Sequence, residues 1–169
     1  MNSTNQIVTN QIVKRVVLNA PLDRVWRAIT DSTAFGTWFG AEVEGDFEAG
    51  ARLRAKIRST RVDPEIARQQ QPYNGMEFIL AVERIEPMRL FSFRWHPGGD
   101  DVGPDTADAE MTLVEFVLED TADGVRLTIT ESGFEHVPLA RRAKAIADNT
   151  SGWEAQTGLI AKYLQQHAG

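Results

Sequence analysis

The sequence predicts an α+β domain in which a curved antiparallel sheet of about six to seven strands wraps around one long C-terminal helix. Three observations carry this expectation. Seven segments between residues 12 and 131 are β-branched or alternate apolar with polar, and turn signals separate most of them. A proline-opened segment interrupts them after the first strand, with two short helices expected between residues 21 and 38. Beyond residue 138 the pattern changes for good: Ile146, Thr150, Trp153, Thr157, Ile160 and Leu164 recur at intervals of three and four, the stripe of a helix lying on a sheet.

Residues 12–18 form the first strand of this reading. Pro21 suits the first helical position, where its missing N–H costs nothing, and Asp23 meets the positive end of the helix dipole. Val25, Trp26 and Ile29 fall on one face of this helix, and a second short helix covers residues 33–38. Strands follow at 41–44 and 52–58 around the Glu48-Ala49-Gly50 turn. Residues 59–74, with Pro64, Pro72 and three successive glutamines, read as an insertion loop with one polar helical turn near 65–70. Residues 76–85 and 90–96 pair through Glu86-Pro87-Met88. Pro97-Gly98-Gly99 then opens an acidic loop to about Asp108. A hairpin joins 111–119 to 125–131 across residues 120–124, and the final helix runs from about Pro138 to Gln166. Gly152 and Gly158 inside that helix each cost roughly 1 kcal/mol against Ala and suggest a close approach by something large. Residues 1–11 are a flexible lead-in, partly a tandem of Thr-Asn-Gln-Ile-Val, and residues 12–166 form a single domain.

Composition narrows the function. The chain has 169 residues, enough to bury a core in one domain, and a net charge of -6, which argues against a nucleic-acid partner and gives no reason to expect an anionic membrane. With no cysteine there is no disulfide, thiolate nucleophile or cysteine-based metal site, which fits a cytoplasmic protein. The N-terminal residues lack the basic and apolar regions of a signal peptide, and no apolar run reaches the ~18 residues that span a bilayer. Phosphate-binding glycine loops, nucleophile elbows and H-E-x-x-H are all missing, and no cofactor is expected. His96, His136 and His167 are too scattered for a metal triad. The acidic residues from Asp100 to Glu110 lack the ligand order of a calcium loop, so no metal site is expected either.

Glu131 is the one chemically suggestive residue. Leu127, Ile129 and Glu131 alternate, so Glu131 continues the core-facing side of its strand, where a desolvated carboxyl suits general acid or base work. His96 is its candidate helper and Arg94 its candidate neutralising partner; a bulge at Ser132-Gly133 would instead turn Glu131 outward. Trp38, Phe39, Phe93, Trp95, Phe134 and Trp153 are the candidate ligand-contacting aromatics, with Asn149 and Gln156 as the polar groups that orient a ligand.

Ala20-Pro21-x-x-x-Val25-Trp26-x-Ala28-Ile29-Thr30-Asp31, followed by Trp38-Phe39-Gly40, resembles the opening of the START-like, helix-grip superfamily. Phe91-Ser92-Phe93-Arg94-Trp95, residues 127–134 and Asn149-Thr150-Ser151-Gly152-Trp153 are similar to its bacterial subgroup related to the activator of the heat-shock-protein-90 ATPase. The resemblance implies a helix-grip fold and three classes of function. The favoured one is a protein that binds a small apolar or aromatic ligand between sheet and terminal helix. A cyclase- or hydrolase-like enzyme using Glu131, with or without His96, is the alternative. A co-chaperone-like module with a chaperone partner is the third, less favoured because the chain has one domain's length. A homodimer is the expected form of any self-association.

Overall fold

Seven strands form one antiparallel sheet in the computed structural model, which describes residues 10–97 and 106–167. The strands are β1 (Gln11–Leu18), β2 (Ala41–Val43), β3 (Arg52–Ile57), β4 (Glu77–Glu86), β5 (Leu90–Trp95), β6 (Thr112–Thr121) and β7 (Gly124–Ser132). Their order across the sheet is β1-β7-β6-β5-β4-β3-β2. The last six strands are thus a plain meander, and the first strand adds itself beside the last. β1 and β2 occupy opposite edges, so the helices between them, α1 (Leu22–Thr30) and α2 (Ser32–Phe39), carry the chain across the whole sheet.

The long helix α4 (Leu139–Gln166) packs against β1, α2 and α1, and the core fills the space between these helices and one face of the sheet. Strand alternation decides which side chains enter it. Val125, Leu127, Ile129 and Glu131 of β7 and Thr112, Val114, Phe116 and Leu118 of β6 are buried, while their neighbours are partly or fully exposed. Phe91 and Phe93 continue the same face on β5. The β4–β5 register shifts between Val82 and Arg84, and the buried Ser92 fills the irregularity by accepting the Arg84 N–H at 3.1 Å.

Local chemistry sets the helix ends. Asp31 caps α2 by accepting the Thr33 and Ala34 N–H groups, each at 3.0 Å. Gly40 ends α2 in the left-handed region at φ 97°, where a Cβ would stand 2.6 Å from the Gln70 side-chain amide. Pro21 differs from expectation. It is the residue before α1 rather than its first, with an extended ψ of 150°, because proline fixes φ alone and leaves ψ to the chain. Its carbonyl accepts the first bonds of α1, from Arg24 at 3.0 Å and Val25 at 3.1 Å.

The insertion is more ordered than a loop. Residues Pro64–Gln70 form α3, with Pro64 in the first turn and Asp63 accepting the Glu65 N–H at 2.9 Å and the Ile66 N–H at 3.2 Å. Gly152 and Gly158 also correct the sequence reading: nothing lies within 4 Å of a Cβ placed on either, so they face open space and admit no close neighbour. The buried face of α4 is turned slightly from the expected stripe. It runs Ala145, Trp153, Leu159, Ile160 and Leu164, flanked by Asn149, Thr150, Gln156 and Thr157, all four half-buried. Those two threonine hydroxyls bond back to the Ile146 and Glu154 carbonyls of their own helix. Most of the expected lead-in and most of the acidic loop lie outside the described residues. Among the described residues no helix is long and apolar enough to cross a membrane.

Candidate functional site

Glu131 lies on the inner face of β7, opposite Val114 of β6 and Ile12 of β1, with no solvent exposure. The register runs unbroken through Ser132, so no bulge turns it outward. Burying a carboxylate is costly unless its oxygens are hydrogen-bonded, and here both are. Trp153 Nε1 donates to Oε1 at 2.8 Å and Trp95 Nε1 to Oε2 at 2.8 Å. The Thr112 hydroxyl donates to Oε2 at 2.6 Å, and Asn149 Nδ2 reaches both oxygens at 2.9 and 3.1 Å. All four donors are neutral side chains, from β5, β6 and α4. An indole N–H and an amide NH₂ can only donate, so three of the four partners require an acceptor from Glu131.

The two tryptophans that hold Glu131 also stack on each other, with ring centroids 5.6 Å apart and planes 28° apart. Phe39, at the end of α2, packs against both, at 5.9 Å from Trp95 and 6.2 Å from Trp153. Phe93 and Phe116 close the cluster from the sheet, edge-on to Trp95 and Trp153 respectively. Exposure is graded across it. Phe39, Phe93, Phe116 and Trp153 are buried, whereas Trp95, Phe78, Asn149 and Gln156 are half-buried and form a rim.

A second polar feature adjoins the rings. The Phe39 carbonyl accepts two side-chain amides, Gln156 Nε2 from α4 at 3.0 Å and Gln70 Nε2 from α3 at 3.1 Å. Gln70 is itself fixed, because its Oε1 accepts the Thr60 N–H at 2.7 Å. Gln156 Oε1 is buried and meets no donor among the described residues.

The structure therefore brings together Glu131, Trp95, Trp153, Asn149, Phe39, Phe93 and Gln156. Two other candidates, His96 and Phe134, stand apart from them. His96 is absent from the contacts of Glu131; its Nε2 lies 2.9 Å from the Ala107 carbonyl. Phe134 is fully buried in the 3-10 turn after β7 and makes none of these ring contacts. Trp38 is fully buried and meets Phe39 edge-on at 5.8 Å, while its Nε1 ties α2 to α1 by donating to the Ala28 carbonyl at 2.9 Å. Arg94 is not the partner of Glu131 but pairs with Glu83 at 3.0 Å, because it alternates with Trp95 onto the other face. Sequence reasoning missed Phe78, Phe116, Gln70 and Thr112, although extending the alternation of Leu118, Phe116 and Val114 backward by two places Thr112 inward. Among the described residues no group of His, Asp or Glu could hold a metal ion, and Asp108 and Glu110 pair instead with Arg52 and Arg141.

Comparison with known proteins agrees with this architecture. The family model described as Activator of Hsp90 ATPase homolog 1-like protein matches residues 19–165. No curated protein matches the chain. Among solved structures it is similar to DynU16, a protein of the dynemicin biosynthetic locus, at 26% identity and TM-score 0.65 over 94% of this chain and 48% of DynU16. The chain thus spans about half of that relative. It is also similar to MLL2253 from Mesorhizobium loti, at 19% identity and TM-score 0.68, covering 93% of this chain and 98% of that one. The Aha1 dimer from Colwellia psychrerythraea gives 15% identity and TM-score 0.67, with coverage of 94% and 98%.

Proposed function

The chain belongs to the Activator of Hsp90 ATPase homolog 1-like family, with the START-like helix-grip fold, and from that premise we propose that it binds a small apolar or aromatic molecule between the sheet and α4. One observation carries the reading: a fully buried carboxylate, held by four converging neutral donors, sits behind a half-exposed aromatic rim. A few placed polar groups in an aromatic surround are what a small-molecule site requires. Trp95 and Phe78 at the rim, with Phe39 and Trp153 behind them, supply flat surfaces for a ring-bearing ligand.

Calorimetric titration of the purified protein with naphthalene-sized aromatics tests this. Saturable binding is expected, weakened several-fold in Trp95→Leu, which removes one wall and one donor. Absence of saturable binding across such a panel overturns the reading. A cyclase- or hydrolase-like use of Glu131 is the second reading, favoured only by the placement of a buried carboxylate at the same rings. It requires turnover that Glu131→Gln abolishes while ligand binding persists, and it proceeds without His96, which is bonded elsewhere. A second copy of the chain is the further partner we propose, since the Aha1 relative is described as a dimer. A solution mass of 18.8 kDa, that of one chain, at all concentrations would overturn that part. A cytoplasmic location belongs to the same proposal and rests on the cysteine-free sequence.

A further inference from the structure

Gln156 defines the chemistry of the ligand more narrowly than the aromatic rings do. Its amide cannot be turned around. The nitrogen end must face the Phe39 carbonyl, because two oxygens facing each other would share no hydrogen. The same carbonyl takes Gln70 as its second donor, which uses both of its lone pairs. Gln156 Oε1 is therefore held in place as a buried acceptor with no donor among the described residues, a state that costs free energy until an N–H or O–H arrives. The acceptor lies one helical turn beyond Trp153, next to the residue whose ring packs on Trp95 and Trp153.

The Glu131 end of the site sets a second condition. Its oxygens already accept from Trp95, Trp153, Thr112 and Asn149, and no cation stands among those four partners. An anionic ligand beside them would bring a charge to acceptor oxygens and neutral donors with no cation to offset it. Resting on the ligand-binding reading above, we infer that the site takes a neutral, flat ring system carrying a hydroxyl or N–H at its edge, and that this group donates to Gln156 Oε1. Phenols, enols and lactams meet both conditions; aryl ethers fail the first and aryl carboxylates the second.

Three probes of one size separate the possibilities: 2-naphthol, which is neutral and donates; 2-methoxynaphthalene, which cannot donate; and 2-naphthoate, which is anionic. In calorimetric titrations of the full chain at neutral pH, 2-naphthol is expected to bind about three- to tenfold tighter than 2-methoxynaphthalene, the span of one net hydrogen bond. The carboxylate is expected to bind most weakly. Gln156→Leu should bring the naphthol-to-ether ratio close to one. A preference that arose only from the bulk of the methyl group would survive that substitution, and its survival overturns the inference. Equal affinity of naphthol and ether for the wild type also overturns it, as expected if a solvent molecule satisfies Gln156, yet leaves the ligand-binding reading standing. Should none of the three bind, both fall together. The wild-type comparison needs no variant, so a Gln156→Leu chain that failed to fold would still leave the inference testable.

Discussion

Glu131 shows how one residue can be legible in sequence while its surroundings are not. Period-two alternation with Leu127 and Ile129 is a local property, so the inward direction of the side chain follows from three residues. Its partners are 36, 22, 19 and 18 residues away, on two other strands and a helix, and only the assembled fold brings them to a common point. The arrangement makes the residue intolerant of a small change. In Glu131→Gln one oxygen becomes NH₂, and whichever oxygen is replaced, an amide hydrogen then faces an indole hydrogen, from Trp153 or from Trp95. The expected loss is about 1–3 kcal/mol, the cost of leaving buried donors unmet. Urea unfolding checks this, and an unchanged midpoint would mean the four contacts do not persist in solution. Thr112→Val, which deletes one of the four donors and leaves no donor unmet, is expected to cost less.

Among the elements, α4 was the easiest to foresee and still differed in detail. Its 28 residues gave a long periodic signal, but the buried face takes in Ala145 and Leu159 beside the expected stripe, while Asn149 and Gln156 bond to Glu131 and to the Phe39 carbonyl. The glycines in it are a direct test of the same geometry. A Cβ at Gly152 or Gly158 meets nothing within 4 Å, so Ala at either position gains helix propensity without a clash. Each substitution is expected to stabilise the protein by about 0.4–1 kcal/mol. Thermal melts check this, and a lowered Tm would place an unseen neighbour at that face. The insertion teaches the reverse lesson. Asp63-Pro64 is a legible helix start, but seven polar-rich residues offer no apolar stripe, and the order of α3 comes from what it attaches to.

Those attachments act on the whole molecule. α3 and its flanks are joined to α2 by Thr60 and Gln70 and to the far end of α4 by Lys162 with Asp63 and by Gln166 with the Val62 carbonyl. None of this is local in sequence, which is why the segment reads as a loop until the chain is folded. The Lys162 ammonium bonded to Asp63, aided by the Ile66 and Glu65 N–H groups and opposed by burial, holds the carboxyl below its ordinary 3.8. A carboxyl lowered on folding contributes stability that is present above its unfolded value and lost as pH falls through its folded one. Asp63→Asn keeps the cap and removes the charge. Its stability deficit is therefore expected to be constant above about pH 5 and to vanish in acid below 3.8. Melting curves of both proteins across that range check it, and a deficit that persisted in acid would assign the contact to shape rather than charge. The position of β1 beside β7 had no local signal either, since a first strand can add to any free edge.

The shared carboxylate also gives the protein an optical and magnetic handle of its own. Of four tryptophans, Trp95 and Trp153 donate their indole hydrogens to one side chain, while Trp38 donates to a backbone carbonyl between two helices. A disturbance of Glu131 is expected to shift two indole proton resonances together and to move the third, bonded to a backbone carbonyl, less. Emission from the stacked pair should change with them. The state of the site can thus be followed by spectroscopy on the unlabelled chain.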